Sequence, residues 1–168
     1  GFKAAAAPFH LVAPDVYQGA PASSAALIAS ASKLAGVTVF TRLLWSGLVG
    51  AAGTPAASWH ETGWLTALAV VSAASLLLGN LVALAQTNIR RLLAYSAISH
   101  AGIMLLGVMV AGDAGGGPGP LIYYAITYGL ATVGAFGVVS VIEGATGSCQ
   151  KITDLAGLFR RSPLLAGC

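Results

Sequence analysis

The run from Ala22 to Gly47, ASSAALIASASKLAGVTVFTRLLWSG, constrains this chain more than any other stretch, because it is apolar throughout yet carries Lys33 near its midpoint. As a helix rising ~1.5 Å per residue, the run is long enough to cross the ~30 Å hydrocarbon core of a bilayer. An ionisable group at mid-depth costs at least ~2.5 kcal/mol and is tolerated where it faces a protein interior, a polar cavity or a partner charge. The spacing therefore predicts a bundle with an internal polar path, as a protein that moves ions or protons requires.

Composition points the same way. The chain is 57% hydrophobic and 8% charged, with mean hydropathy +0.83. Soluble domains carry about 25% charged residues, so this chain lacks the side chains needed to clothe a water-facing surface. Its glycines, alanines and serines suit membrane helices, whose backbones approach closely over small residues. The net charge of +3 is too small and too dispersed for nucleic-acid binding. Cys149 and Cys168 form no metal-ligand cluster. The glycine-rich DAGGGPGP, residues 113–120, has neither GxGxxG nor GK[ST] spacing and reads as a hairpin outside the membrane. With no flavin, nicotinamide or iron–sulfur signature, the chain is expected to bind no cofactor and to transfer no electrons. The lack of an initial Met, the absence of a signal peptide and the ending RRSPLLAGC read as a piece of something longer.

In chain order, Lys3 precedes four alanines and Pro8, and proline predicts a kink or break between Ala4 and Phe9. A broken membrane helix exposes backbone groups acceptable only inside protein or against a watery cavity. Lys3 is thus a second candidate buried cation, or else a snorkelling residue at a helix edge. Pro14, Asp15, Gly19 and Pro21 predict a tight reversal over 11–21, with Tyr17 at the interface. Spanning segments are expected at 22–47, 64–85, 90–111 and 121–143, with Arg42 reaching toward the far headgroups and Trp59 and Trp64 as interfacial anchors. Asn80 is expected to make an interhelical hydrogen bond.

In the third segment Ser96 and His100 lie four apart on one face, with Tyr95 and Ser99 close by. An imidazole, with an unperturbed pKa of ~6.5 and one donor and one acceptor nitrogen, can relay a proton at mid-depth. A neutral, hydrogen-bonded core histidine is the alternative. Tyr123, Tyr124, Thr127 and Tyr128 give the fourth segment a polar stripe, and Pro163 introduces a further helix. Residues 11–21, 86–91 and 144–163 share one side, which carries Arg90, Arg91, Lys151, Arg160 and Arg161. The opposite loops offer Glu61 and Asp113 and no basic residue, so the basic side is expected to face the bacterial cytoplasm across the inner membrane, or the matrix or stroma in an organelle.

GFKAAAAPFHLVAPDVYQGAPASSAALIASASK, with QTNIRRLLAYSAISHAGIMLLG and DLAGLFRRSP, resembles the subunit N family of the proton-translocating NADH-quinone oxidoreductase, respiratory complex I, within the wider antiporter-like superfamily. That resemblance implies a polytopic all-α bundle of two inverted five-helix repeats, each with a broken helix. Residues 1–50 would end the first repeat and residues 64–168 would begin the second. Lys3 falls on the essential lysine of the first broken helix, Lys33 on the connecting lysine of the next helix, and His100 on the histidine of the second repeat. His10 belongs to the PFH motif in a supporting role. Val12 stands where the family usually has tryptophan, and Ala22 and Ser23 where Thr-Pro is common.

By the same resemblance the chain is a non-redox proton-pumping subunit. Its partners are other membrane subunits, lipid, protons and water, and the NADH, FMN, iron–sulfur clusters and quinone belong to the complex as a whole. A cation/proton antiporter subunit of the same superfamily is one alternative. A structural membrane scaffold is the other.

Overall fold

A computed structural model describes residues 5–53, 63–112, 117–146 and 151–167. Among these residues the chain is helical, with no strand and one isolated antiparallel bridge, Asn88 to Lys151. Among the described residues four helices are long and apolar enough to cross a membrane, and the chain is a multi-pass membrane bundle. A short helix at Val12–Gly19 (α1) leads into the spanning helices Ala22–Gly47 (α2), Trp64–Leu84 (α3), Ile89–Val110 (α4) and Gly119–Thr146 (α5). Pro163 opens a short terminal helix, where its missing N–H has no intrahelical partner to lose.

The spanning helices alternate in direction, as their end contacts require. At one end, Arg90 at the start of α4 donates to the carbonyls of Gln18 and Ala20, just before α2, and to the carboxylate of Glu143 near the end of α5. At the other end, the Trp45 indole donates to the Val108 carbonyl at 2.6 Å, and Trp64 donates to the Leu48 carbonyl at 2.8 Å. The two indoles meet edge to face, 5.1 Å between centroids. Trp64, expected from sequence as an interfacial anchor, opens α3, whereas Trp59 lies outside the described residues. Asn88 caps α4 by accepting from the backbone N–H groups of Arg90 and Arg91.

The break expected at Pro8 is present. Ala5 has φ 54, outside any right-handed helix, and Ala5–Ala7 are buried without helical pairing. A buried unpaired N–H is costly, so the chain needs an acceptor there. Ser75, near the middle of α3, accepts the Ala7 N–H at 2.9 Å and donates its own O–H to the Val71 carbonyl at 2.7 Å. The break therefore sits at the mid-depth of the bundle. After it a 3₁₀ turn at Phe9–Leu11 runs into α1, so the reversal expected over 11–21 is confined to the end of that range, at Ala20–Pro21. Pro14 is compatible with α1 because it lies in the first turn, where backbone N–H groups have no intrahelical acceptor.

Two π-helical turns, Ile28–Ser32 and Leu43–Gly47, interrupt α2. Its buried positions Ala25, Ala29, Lys33, Val37 and Thr41 recur every fourth residue. In a pure α-helix four residues overshoot one turn by about 40°. A wider π turn, closing i→i+5, rotates the line back and keeps these residues on one inward face. Lys33 thereby sits between two apolar clusters, Ala22, Ala25, Ala29, Ala97 and Phe136 on one side and Val37, Leu44, Met104, Val108 and Leu121 on the other.

Helices α3 and α4 pack through small residues. A Cβ on Gly79 would lie 2.7 Å from the Ser99 backbone nitrogen, and one on Gly102 would lie 2.9 Å from the Ser72 carbonyl. The Ser72 hydroxyl also donates to the Gly102 carbonyl at 2.6 Å. Backbone atoms of a packed helix cannot yield, so Gly79→Leu is expected to force α3 away from α4 at a cost of about 3 kcal/mol. Thermal unfolding of the detergent-purified full-length protein checks this, an unchanged melting temperature being the contrary result. Asn80, next to Gly79, faces outward and hydrogen-bonds to no described residue, because the contact face of α3 is the one carrying Ser72, Ser75 and Gly79.

Candidate functional site

Lys33 is 3% exposed, and its ammonium donates to the Ala97 carbonyl on α4. The same Nζ lies 5.5 Å from the ring centroid of Tyr128 on α5. No carboxylate among the described residues pairs with it. His100, three residues beyond Ala97 on α4, packs its imidazole against that ring, with centroids 4.6 Å apart and planes tilted by 38°. Its Nδ1 is 2.6 Å from the Tyr124 hydroxyl, one helical turn before Tyr128 on α5. A phenol both donates and accepts, so Tyr124 can hold Nδ1 in either protonation state.

Three helices thus bring an amine, an imidazole and two phenols together near the middle of the bundle. Lys33 comes from the inward face of α2, where it replaces one member of an apolar row. Tyr124 and Tyr128 lie four apart on α5 and therefore face the same neighbour. Each group of this cluster can give up or hold a proton or orient a group that does. Among the described residues no group of three His, Cys, Asp or Glu is placed to hold a metal ion.

The remaining expected site residues stand apart. Lys3 lies outside the described residues. His10 occupies the 3₁₀ turn just after the break, where its Nδ1 is buried with no hydrogen-bond partner in the described structure, and no bond or ring contact joins it to Lys33 or His100.

The NADH:quinone oxidoreductase/Mrp antiporter transmembrane family matches residues 1–168, the whole chain. The chain belongs to that family. It is 53% identical over 170 residues to NADH-quinone oxidoreductase subunit N 2 of Acidobacterium capsulatum, covering 100% of the chain and 33% of that protein. Subunit N of Neisseria gonorrhoeae is 47% identical over 165 residues, covering 98% and 32%. Respiratory complex I from Thermus thermophilus with bound Aureothin contains a chain of similar structure, with TM-score 0.75 and 40% identity over 98% of this chain and 33% of that one. The antiporter-family chain therefore spans about a third of the length of the relatives it matches, and the resemblance to subunit N read from its sequence is borne out.

Within this antiporter-family bundle the surroundings of His100 differ from those expected. Ser96 and Tyr95 share its helix but do not bond to it, because the imidazole turns toward α5. The tyrosine stripe of α5 was visible in sequence as an i, i+4 pair. Its target was not, since nothing local to α5 specifies which helix lies opposite. Tyr123, in the same stripe, is 72% exposed and takes no part. Ser75 carried no signal beyond being a serine in an apolar helix.

Proposed function

We propose that this chain is part of a proton-translocating, non-redox subunit of NADH-quinone oxidoreductase, in which protons pass between buried side chains while electron transfer proceeds in other subunits. One observation carries the reading: a buried lysine with no carboxylate partner among the described residues shares the ring of Tyr128 with His100 at mid-depth. Membership of the family and the likeness to subunit N support it.

In this reading Lys3 on the broken helix is the switching amine, Lys33 accepts and passes the proton, and His100 receives it. His10 supports the break. Residues 1–50 close one inverted repeat and residues 64–168 open the next, so the Lys33-to-His100 step crosses between repeats. The NADH, flavin, iron–sulfur clusters and quinone that drive the cycle belong to partner subunits, and coupling reaches this chain through neighbouring membrane subunits. The end carrying Arg90, Arg91 and Lys151 faces the cytoplasm across the bacterial inner membrane, by the excess of basic residues there.

A cation/proton antiporter is the competing reading, because the matched family includes Mrp antiporters. The test uses the full-length protein in its native complex in sealed vesicles. NADH oxidation is expected to drive proton pumping. His100→Ala is expected to reduce pumping by at least ~100-fold in assembled complexes, the lower bound for a positioned acid–base group. Tyr124→Phe is expected to reduce it about fivefold, the equivalent of one hydrogen bond of about 1 kcal/mol. Normal pumping by His100→Ala overturns its place in the route, and sodium-dependent transport without quinone-reducing partners replaces the oxidoreductase with the antiporter.

A further inference from the structure

Tyr128 contacts both titratable groups of the proposed route, yet its hydroxyl bonds to neither. Its ring lies beneath the Lys33 ammonium at 5.5 Å and against the His100 imidazole at 4.6 Å. An aromatic face attracts a cation through its quadrupole, and the attraction grows when the site is desolvated. Lys33, at 3% exposure, is in such a site. The ring is held in place, because Tyr128 packs against both apolar clusters, to which α5 contributes Ala125 and Phe136. The Ala97 carbonyl holds Nζ over the ring, and the Tyr124 hydroxyl holds Nδ1 so that the imidazole cannot swing away.

We propose that Tyr128 is a positioning residue for proton transfer, its π face serving as a shared seat that favours a single cation, either the Lys33 ammonium or the His100 imidazolium. The inference rests on the proton-path reading above and adds the element that links its two groups. In the transfer step an N–H bond of the Lys33 ammonium breaks and the proton moves by way of water. A new N–H bond then forms at Nε2 of His100, in the tautomer whose Nδ1–H donates to the Tyr124 hydroxyl and leaves Nε2 free to accept. The amine is left neutral, the imidazole becomes a cation, and the ring stabilises whichever bears the charge. Two cations beside one ring at low dielectric repel strongly, so the doubly charged state is disfavoured. The Tyr128 hydroxyl is not the carrier, and the ring face is what acts.

The test therefore varies the electrons of the ring and not its shape. Position 128 of the full-length subunit, assembled in its complex, is changed to Phe and then to mono-, di- and trifluorinated phenylalanine by nonsense suppression, and NADH-driven pumping is measured in sealed vesicles. Tyr128→Phe keeps the ring face and sets the reference rate of the series. Successive fluorination, which drains the quadrupole at nearly constant volume, is expected to lower pumping stepwise to about tenfold below that rate. A merely structural ring gives a flat series, which overturns the proposal. Loss already at Tyr128→Phe also overturns it, by assigning the role to the hydroxyl. Lys33→Ala measured alongside separates the two levels. If it abolishes pumping while the fluorinated series stays flat, only the Tyr128 inference falls. If it pumps normally, the proton path itself falls.

Discussion

Lys33→Arg is expected to abolish proton pumping in complexes that assemble normally, by about 100-fold or more, the least that a group transferring a proton contributes. Arginine keeps the positive charge, can still donate to the Ala97 carbonyl and can still lie over the Tyr128 ring. What it gives up is the ability to release its proton, because a guanidinium stays charged at any cellular pH. A scaffold whose mid-helix cation only fixes packing would tolerate the exchange, so the variant separates a proton path from a structural charge. The site is tight, with Lys33 between Ala29 and Val37 on the inward face of α2, and the larger head group introduces strain of about 1–3 kcal/mol. Lys33→Met therefore accompanies it, being neutral and unbranched with similar reach. Assembly is scored by co-purification of the other membrane subunits, and pumping is scored in sealed vesicles. Parental pumping by either variant removes Lys33 from the route.

Arg90→Leu is expected to produce the largest loss of stability of any single substitution at the basic end of the bundle. Arg90 is 8% exposed and forms a two-pronged pair with Glu143, while its other terminal nitrogen donates to the carbonyls of Gln18 and Ala20. One side chain thus ties together the end of α1, the start of α2, the start of α4 and the end of α5. Removing it leaves a partly buried carboxylate without its cation and two carbonyls without their donor. Breaking a buried pair costs about 3–5 kcal/mol, and the lower end applies because the Glu143 side chain remains 22% exposed. Arg90→Lys is expected to recover only part of this, since one ammonium nitrogen cannot stand both at the carboxylate and at the two carbonyls, which Arg90 meets with separate terminal nitrogens. The neighbouring Arg91–Asp15 pair is a useful contrast: Asp15 is 75% exposed, and an ion pair in water is worth less than about 1 kcal/mol. Thermal unfolding of the purified full-length protein should therefore show a large drop for Arg90→Leu and almost none for Arg91→Leu. Equal shifts would sink this account of the clamp.

Both predictions turn on residues the sequence displays openly, but in different ways. Lys33 announces itself, since an ionic group in the middle of an apolar helix is a local conflict that reading alone detects. In the sequence Arg90 is only one of several cations on the basic side, and Glu143 only an acid at the end of the fourth spanning segment. Their pairing joins residues 53 positions apart and depends on which helix ends converge.

The sequence alone determined the all-helical class, the four spans and the break at Pro8, because each follows from properties of one segment: its length, its apolarity, or a proline's missing N–H. It also set the mid-span positions of Lys33 and His100, since depth along a helix is a matter of counting residues. Tertiary structure alone decided that His100 meets Tyr124 and Tyr128 and not Ser96 or Tyr95, that Ser72 and Ser75 and not Asn80 make the polar contacts of α3, and that α2 contains two π turns. The physical reason is common to all three: a helix offers several faces of similar polarity, and the choice among them is made only when neighbouring helices pack.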